Sequence, residues 1–423
     1  MSATAAAQAI PGWLAPLANP GFPGLPNLQV PVLGNKWAVG TVFLFHVFFG
    51  SYTMGTLVTG PTYELVGALR NSPNCLRYAD ALGDANLKLF SLGATLAGFA
   101  VIFLAGLYGR MFIPLVETFF VPFLVAFTIW LPILAAMYLY AHRWRERYGR
   151  PWHIGLGYAA AAGDHVFLFM IVGVDSFLLT PGSGQGWGAF FNATFLPELG
   201  HRFVGNLSWS SLFLGAVFAL GAGLTEVQAQ REYRLWAART SLVTGFLLLV
   251  PQAVLGFEYV RAMQGASPGA FGHSFGANGT LWLVQTALLC AILLGTSIYF
   301  AVSRPSTLAL FLSGAIAAGG IAASLPASIS YGADYEWVRL AILAGVLGAG
   351  VAAWLTWLRR KPQPLELRPL ARGLLTAIGI AAVALFLLMG VIRTSARDPY
   401  TVYGRLTQLQ SQGIFQPQEG HYP

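Results

Sequence analysis

The sequence predicts an all-α, polytopic transmembrane bundle of about ten spans with both termini outside, and three observations carry that expectation. Of the 423 residues, 56% are hydrophobic and only 9% are charged. A soluble domain carries about 25% charged residues because its surface must be wetted, so lipid explains the deficit better than a large core. Apolar runs of about 20 residues, the length that crosses a hydrocarbon core, recur along the chain. The basic residues fall between those runs with a regular alternation.

Residues 1–35 form a Pro-rich arm. Pro11, Pro16, Pro20, Pro23 and Pro26 break any helix there, and without a basic leading region the arm does not read as a signal peptide. Candidate spans follow at 37–66, 88–111, 115–141, 154–181, 203–226, 238–261, 278–302, 306–330, 337–358 and 371–393. They make one transmembrane domain, 36–396, with a stiff Pro-rich connector at 361–369 and an external tail at 397–423.

Alternate loops share the 24 Lys and Arg residues unevenly. One set holds Arg70, Arg77, the Arg143–Arg150 run, Arg231, Arg234 and the Arg359–Lys361 run; the other, with both tails, holds half as many. The richer set belongs in the cytoplasm. The net charge of +8 is thus accounted for by topology, and nothing suggests nucleic acid as a partner. Cys75 and Cys290 fit no metal pattern. CxxCH, the attachment signal for c-type haem, does not occur, nor does a phosphate-binding loop.

Ionisable groups inside a bilayer are costly and point to function. His46, in FHVFFG of the first span, lies among Phe residues and small residues that leave room for a flat macrocycle. A neutral imidazole in such a pocket is the usual protein ligand of haem iron. His201 opens the fifth span beside Arg202, which is suited to pairing with a haem propionate. His165 shares the fourth span with Asp164 and Asp175. Three roles stay open for that group: a further haem ligand, a proton path or an interhelix bond network. Glu117 and Glu258, near the outer ends of the third and sixth spans, are candidate proton acceptors for quinol oxidation. His142, His153 and His421 read as solvated histidines of loops and span ends. His273 lies in the Gly-rich external loop MQGASPGAFGHSFGANG, which is suited to folding over a quinol.

These features resemble subunit I of cytochrome bd quinol oxidases, and more closely the shorter bd-like proteins. The resemblance rests on FHVFFG at His46, PLVE ending at Glu117, GVDSFLLTPG followed by GWGAFFNATFLPELGHRF, and GVIRTSARDPYTVYG, in matching order along most of the chain. It implies haem b as cofactor, quinol as substrate, and a place in the bacterial cytoplasmic (inner) membrane. It also implies partner redox subunits in the membrane or periplasm, with the cytochrome c type among the candidates. Against the family pattern, Gly205 stands where a ligand histidine is expected, with His201 one turn earlier. Thr394 and Val125 replace two carboxylates, and the methionine ligand has no counterpart. Those losses point to electron transfer between quinol and a partner rather than to oxygen reduction. A haem-free quinone-binding anchor and a genuine quinol terminal oxidase are the alternatives.

Overall fold

A computed structural model describes residues 30–142, 145–180, 187–272, 274, 279–303 and 369–397. Every regular element among them is helical. In chain order these are α1 (Gly34–Arg70), α2 (Pro73–Leu107), α3 (Gly109–Thr118), α4 (Phe120–Ala141), α5 (Arg145–Tyr148), α6 (Arg150–Phe177), α7 (Trp187–Phe190), α8 (Phe195–Gly223), α9 (Gln228–Ala266), α10 (Pro268–Gly272), α11 (Gly279–Ser303) and α12 (Pro369–Arg397). Eight of them, α1, α2, α4, α6, α8, α9, α11 and α12, are long and apolar enough to cross a membrane. They coincide with eight of the ten expected spans. The expected spans 306–330 and 337–358, most of the N-terminal arm, the 361–369 connector except Pro369, and the tail beyond Arg397 lie outside the described residues.

Local chemistry sets the boundaries. α1 ends at Asn71, which adopts the left-handed conformation (φ 49°, ψ 42°) that Asn tolerates at a helix C-terminus. Ser72 then caps α2 by accepting from the Cys75 N–H at 3.5 Å, with Pro73 in the first turn. The expected third span is divided. Pro114 and Pro122 flank a break at Phe119, so the short α3 carries Glu117 and α4 alone crosses the membrane. The expected fifth span begins earlier than its hydropathy suggests, at Phe195, and His201 therefore lies inside α8.

α8 is the hub. It packs on α9, α12, α1 and α6, and 61% of its apolar core is buried within the bundle, against 11% for α2, which presents most of its face outward. Close crossings depend on small residues, as they must where lipid supplies no hydrophobic drive between helices. At Gly55 of α1, an added Cβ would overlap the Asn206 carbonyl oxygen of α8. Gly55→Leu is therefore expected to push α1 off α8 and cost about 1–3 kcal/mol as overpacking, read as a lower thermal unfolding midpoint in detergent. An unchanged midpoint would refute that crossing.

Candidate functional site at the outer end of the bundle

The outer ends of α6, α8 and α12 meet at a cluster of four charges. Glu198 and Arg202 are one turn apart on α8 and pair at 2.9 Å (Arg202 Nε to Glu198 Oε1). Arg202 also pairs with Asp175 of α6. From α12, Arg393 Nη1 lies 2.8 Å from Asp175 Oδ2, and Arg393 Nη2 donates to Glu198 Oε2 at 2.7 Å and to the Asp175 carbonyl at 3.2 Å. Two acids and two bases cancel, which is the condition for holding such groups out of water. Glu198 is almost fully buried at 1% side-chain exposure, whereas Asp175 keeps 19%.

His201 projects from α8 onto one stripe of α9. Gln252 Nε2 lies 3.0 Å from His201 Nδ1 and 3.2 Å from its Nε2, and the ring stacks on Tyr259 at 5.9 Å between centroids and 27° between planes. Gly256 makes the seat possible, since an added Cβ would stand 3.1 Å from His201 Cε1. The same Gln252 amide fills the space beside Gly205, only 2.7 Å from where a Cβ would be. The Tyr259 hydroxyl and Gln252 Oε1 are buried without hydrogen-bond partners.

The other two span histidines are anchored differently. His46 Nδ1 lies 2.9 Å from the Gly93 carbonyl of α2, and His165 Nδ1 lies 2.7 Å from the Ala161 carbonyl one turn before it. A carbonyl only accepts, so Nδ1 carries the proton in both rings and Nε2 is left as a lone-pair donor. His165 Nε2 is buried with no partner, and the ring meets Phe203 of α8 edge-on at 4.8 Å. One turn beyond His46, a Cβ on Gly50 would meet nothing within 4 Å.

The structure thus brings His201 and Arg202 to the charge cluster, while the three rings face three different neighbours: His46 lies on α2, His165 on its own helix and α8, and His201 on α9. Arg202 already holds two carboxylates. Glu117 is exposed at the end of α3, where partial burial raises its carboxyl above the ordinary value. Glu258 is exposed on α9. His273 lies outside the described residues. His142 is exposed at the end of α4, but His153 is 3% exposed. The expectation of a solvated His153 is corrected: α6 begins before it, at Arg150, and the ring is held inside by Glu64 of α1 at Nδ1 and by the Tyr140 carbonyl of α4 at Nε2, each at 2.8 Å. Sequence reading passed over Glu198 and Arg393. The available signals were Glu198 four residues before Arg202, an i,i+4 pair, and Arg393 inside the apolar run LLMGVIRTSA.

No cluster of three or more His, Cys, Asp or Glu suited to a bare metal ion occurs among the described residues. A porphyrin iron needs only one or two axial donors from the protein. Imidazoles whose Nδ1 is fixed by a carbonyl and whose Nε2 is open match that requirement, so the residues present fit haem. No protein-family model matches the chain, and no curated protein does. Among solved structures, nine chains match. One, the bd oxidase of Geobacillus thermodenitrificans, is 14% identical with a TM-score of 0.50, over 88% of this chain and 97% of that chain. The chain is a multi-pass helical membrane protein with a distant bd-oxidase-like fold.

Proposed function

We propose that this chain is a haem-b-containing membrane subunit of a bd-like quinol oxidoreductase, passing electrons between quinol and a partner redox protein. The observation that carries the reading is a bd-oxidase-like bundle in which His46 and His165 each present an unprotonated Nε2 set by a backbone carbonyl. Bound haem would supply one-electron chemistry. The residues that would hold it are His46, His165 and His201, the last freed from Gln252 by a rotation of that amide. Arg202 and Arg393 provide the positive charge for propionates, with Asp175 and Glu198 keeping the guanidinium groups in place until then.

Quinol gives up two protons with its electrons, so a site at the outer face needs acceptors there. Exposed Glu117 and Glu258 suit that role, and His273 belongs to the external loop that would cover the quinol. The partner redox protein, whether in the membrane or the periplasm, completes the route. The bacterial cytoplasmic membrane is the location this reading implies.

The test is a reduced-minus-oxidised visible spectrum of the purified chain. A b-type α band is expected, and loss of at least half of its amplitude is expected in His46→Ala or His165→Ala. A spectrum without that band would replace this reading with the haem-free quinone-binding anchor. Oxygen consumption driven by quinol in the isolated chain would replace it with a terminal oxidase.

A further inference from the structure

At the end of the bundle opposite the charge cluster, α2, α8 and α9 surround a cleft of about 470 Å³. Arg77, Asp80 and Asp84 line it from α2, at a spacing that puts all three on one face of that helix. Gln230, Tyr233 and Arg234 line it from α9 with the same helical periodicity, and Phe218 of α8 completes the wall. Phe218 lies 20 residues beyond Glu198 along α8, about 30 Å at 1.5 Å per residue. That is roughly the thickness of a hydrocarbon core. With the charge cluster at one surface of the bilayer, the cleft stands at the other, among the headgroups.

The two arginines of the cleft are held by neutral groups. Arg77 Nη2 donates to Gln230 Oε1 at 2.6 Å, and its guanidinium lies 4.0 Å from the centre of the Tyr233 ring. Arg234 Nη1 donates to the Gly221 carbonyl. Among the described residues neither guanidinium forms an ion pair, in contrast to Arg202 and Arg393 at the other end. Tyr233 is 6% exposed, and its hydroxyl is buried with no hydrogen-bond partner. Its ring packs between Phe218 and Trp236, a place that phenylalanine would fill as well without leaving a buried hydroxyl unpaired. One orphan hydroxyl and two guanidinium groups with spare N–H donors therefore border the same space.

Such a donor set calls for an acceptor with several oxygens and a negative charge, and a phosphate diester has both. We infer that this cleft binds a phospholipid headgroup, with its phosphate taken by Arg77, Arg234 and the Tyr233 hydroxyl. Asp80 and Asp84 set the choice among headgroups. They repel any further negative charge and attract an ammonium group, so phosphoethanolamine is favoured over phosphoglycerol. The depth of the cleft favours a lipid over a soluble phosphate ester. Beyond Asp84, α2 presents exposed Leu92, Phe99 and Ile102, apolar surface along which acyl chains can lie.

The test is native mass spectrometry of the delipidated full-length chain in detergent, supplied with phosphatidylethanolamine and phosphatidylglycerol at equal concentration. One phosphatidylethanolamine is expected to stay on each chain, with about fivefold preference over phosphatidylglycerol. The double variant Arg77→Gln/Arg234→Gln should retain about tenfold less. Tyr233→Phe keeps the ring and should retain about threefold less. Asp80→Asn/Asp84→Asn should reverse the headgroup preference. Arg231→Gln removes a charge of α9 that does not line the cleft and should change nothing. Equal retention of the two lipids by the wild type overturns the inference. So does a loss in Arg231→Gln as large as that in the arginine double variant, which would show general attraction to basic charge. Displacement of the lipid by an equal concentration of free phosphoethanolamine overturns the lipid as occupant. If the arginine double variant is not monodisperse, undiminished retention in Tyr233→Phe overturns the inference instead. The measurement needs neither quinol nor iron, so its outcome is separate from that of the visible spectrum.

Discussion

Arg393→Met is expected to destabilise the bundle by about 3–5 kcal/mol, because it strips a partner from two carboxylates held away from water. Glu198, at 1% exposure, would keep only Arg202, and Asp175 would share that same guanidinium. The cluster would carry a net negative charge at the junction of three helices. The double variant Arg393→Met/Asp175→Asn restores neutrality, leaving Arg202 with Glu198, and should recover a large part of the loss. Thermal unfolding of the single and double variants in detergent, arranged as a double-mutant cycle, reads the coupling directly. Additive losses would show that the four charges do not act as a unit.

The second large effect is expected at Tyr140. Its ring stacks on His153 at 4.4 Å and 23°. It is enclosed by glycines of three other helices: Gly60 of α1, Gly83 of α2 and Gly157 of α6, where added Cβ atoms would lie 3.6, 3.2 and 2.8 Å from its atoms. Removing an enclosed aromatic ring typically costs about 3–5 kcal/mol, the more so where the walls cannot collapse. Glycines have no side chains with which to fill the space, so Tyr140→Ala should fall at the upper end. Tyr140→Phe keeps the stacking ring and should lose far less. The comparison is again made from unfolding midpoints, and equal losses for Ala and Phe would place the effect in the hydroxyl instead of the ring.

The spans were legible because burial in lipid selects composition over a window of about twenty residues, and neighbours in sequence report on it. The exceptions are instructive. Pro114 and Pro122 were visible, but whether they kink one helix or separate two depends on packing around Phe119, which is fully buried. His153 follows a run of arginines and reads as a loop residue. Its partner Glu64 is 89 residues away, and no local pattern connects them. For the same reason Arg393 shows in the sequence only as a lone base near the end of an apolar run. Its partners Asp175 and Glu198 come from two other helices, and long-range pairing leaves no periodic mark. His46, His165 and Arg202 could be selected because an ionisable group in an apolar run stands out by itself. What each one touches could not be read that way.

The centrality of α8 also bears on how the chain is made. During synthesis α8 enters the bilayer before α9 and α12 have left the ribosome, so Glu198 must first share Arg202, one turn away, with Asp175 of the preceding span. Arg393 arrives with the last described helix. Completion of the charge cluster is therefore a late event in biogenesis, and a nascent chain halted before α12 would hold an unbalanced acid that quality-control proteases can recognise.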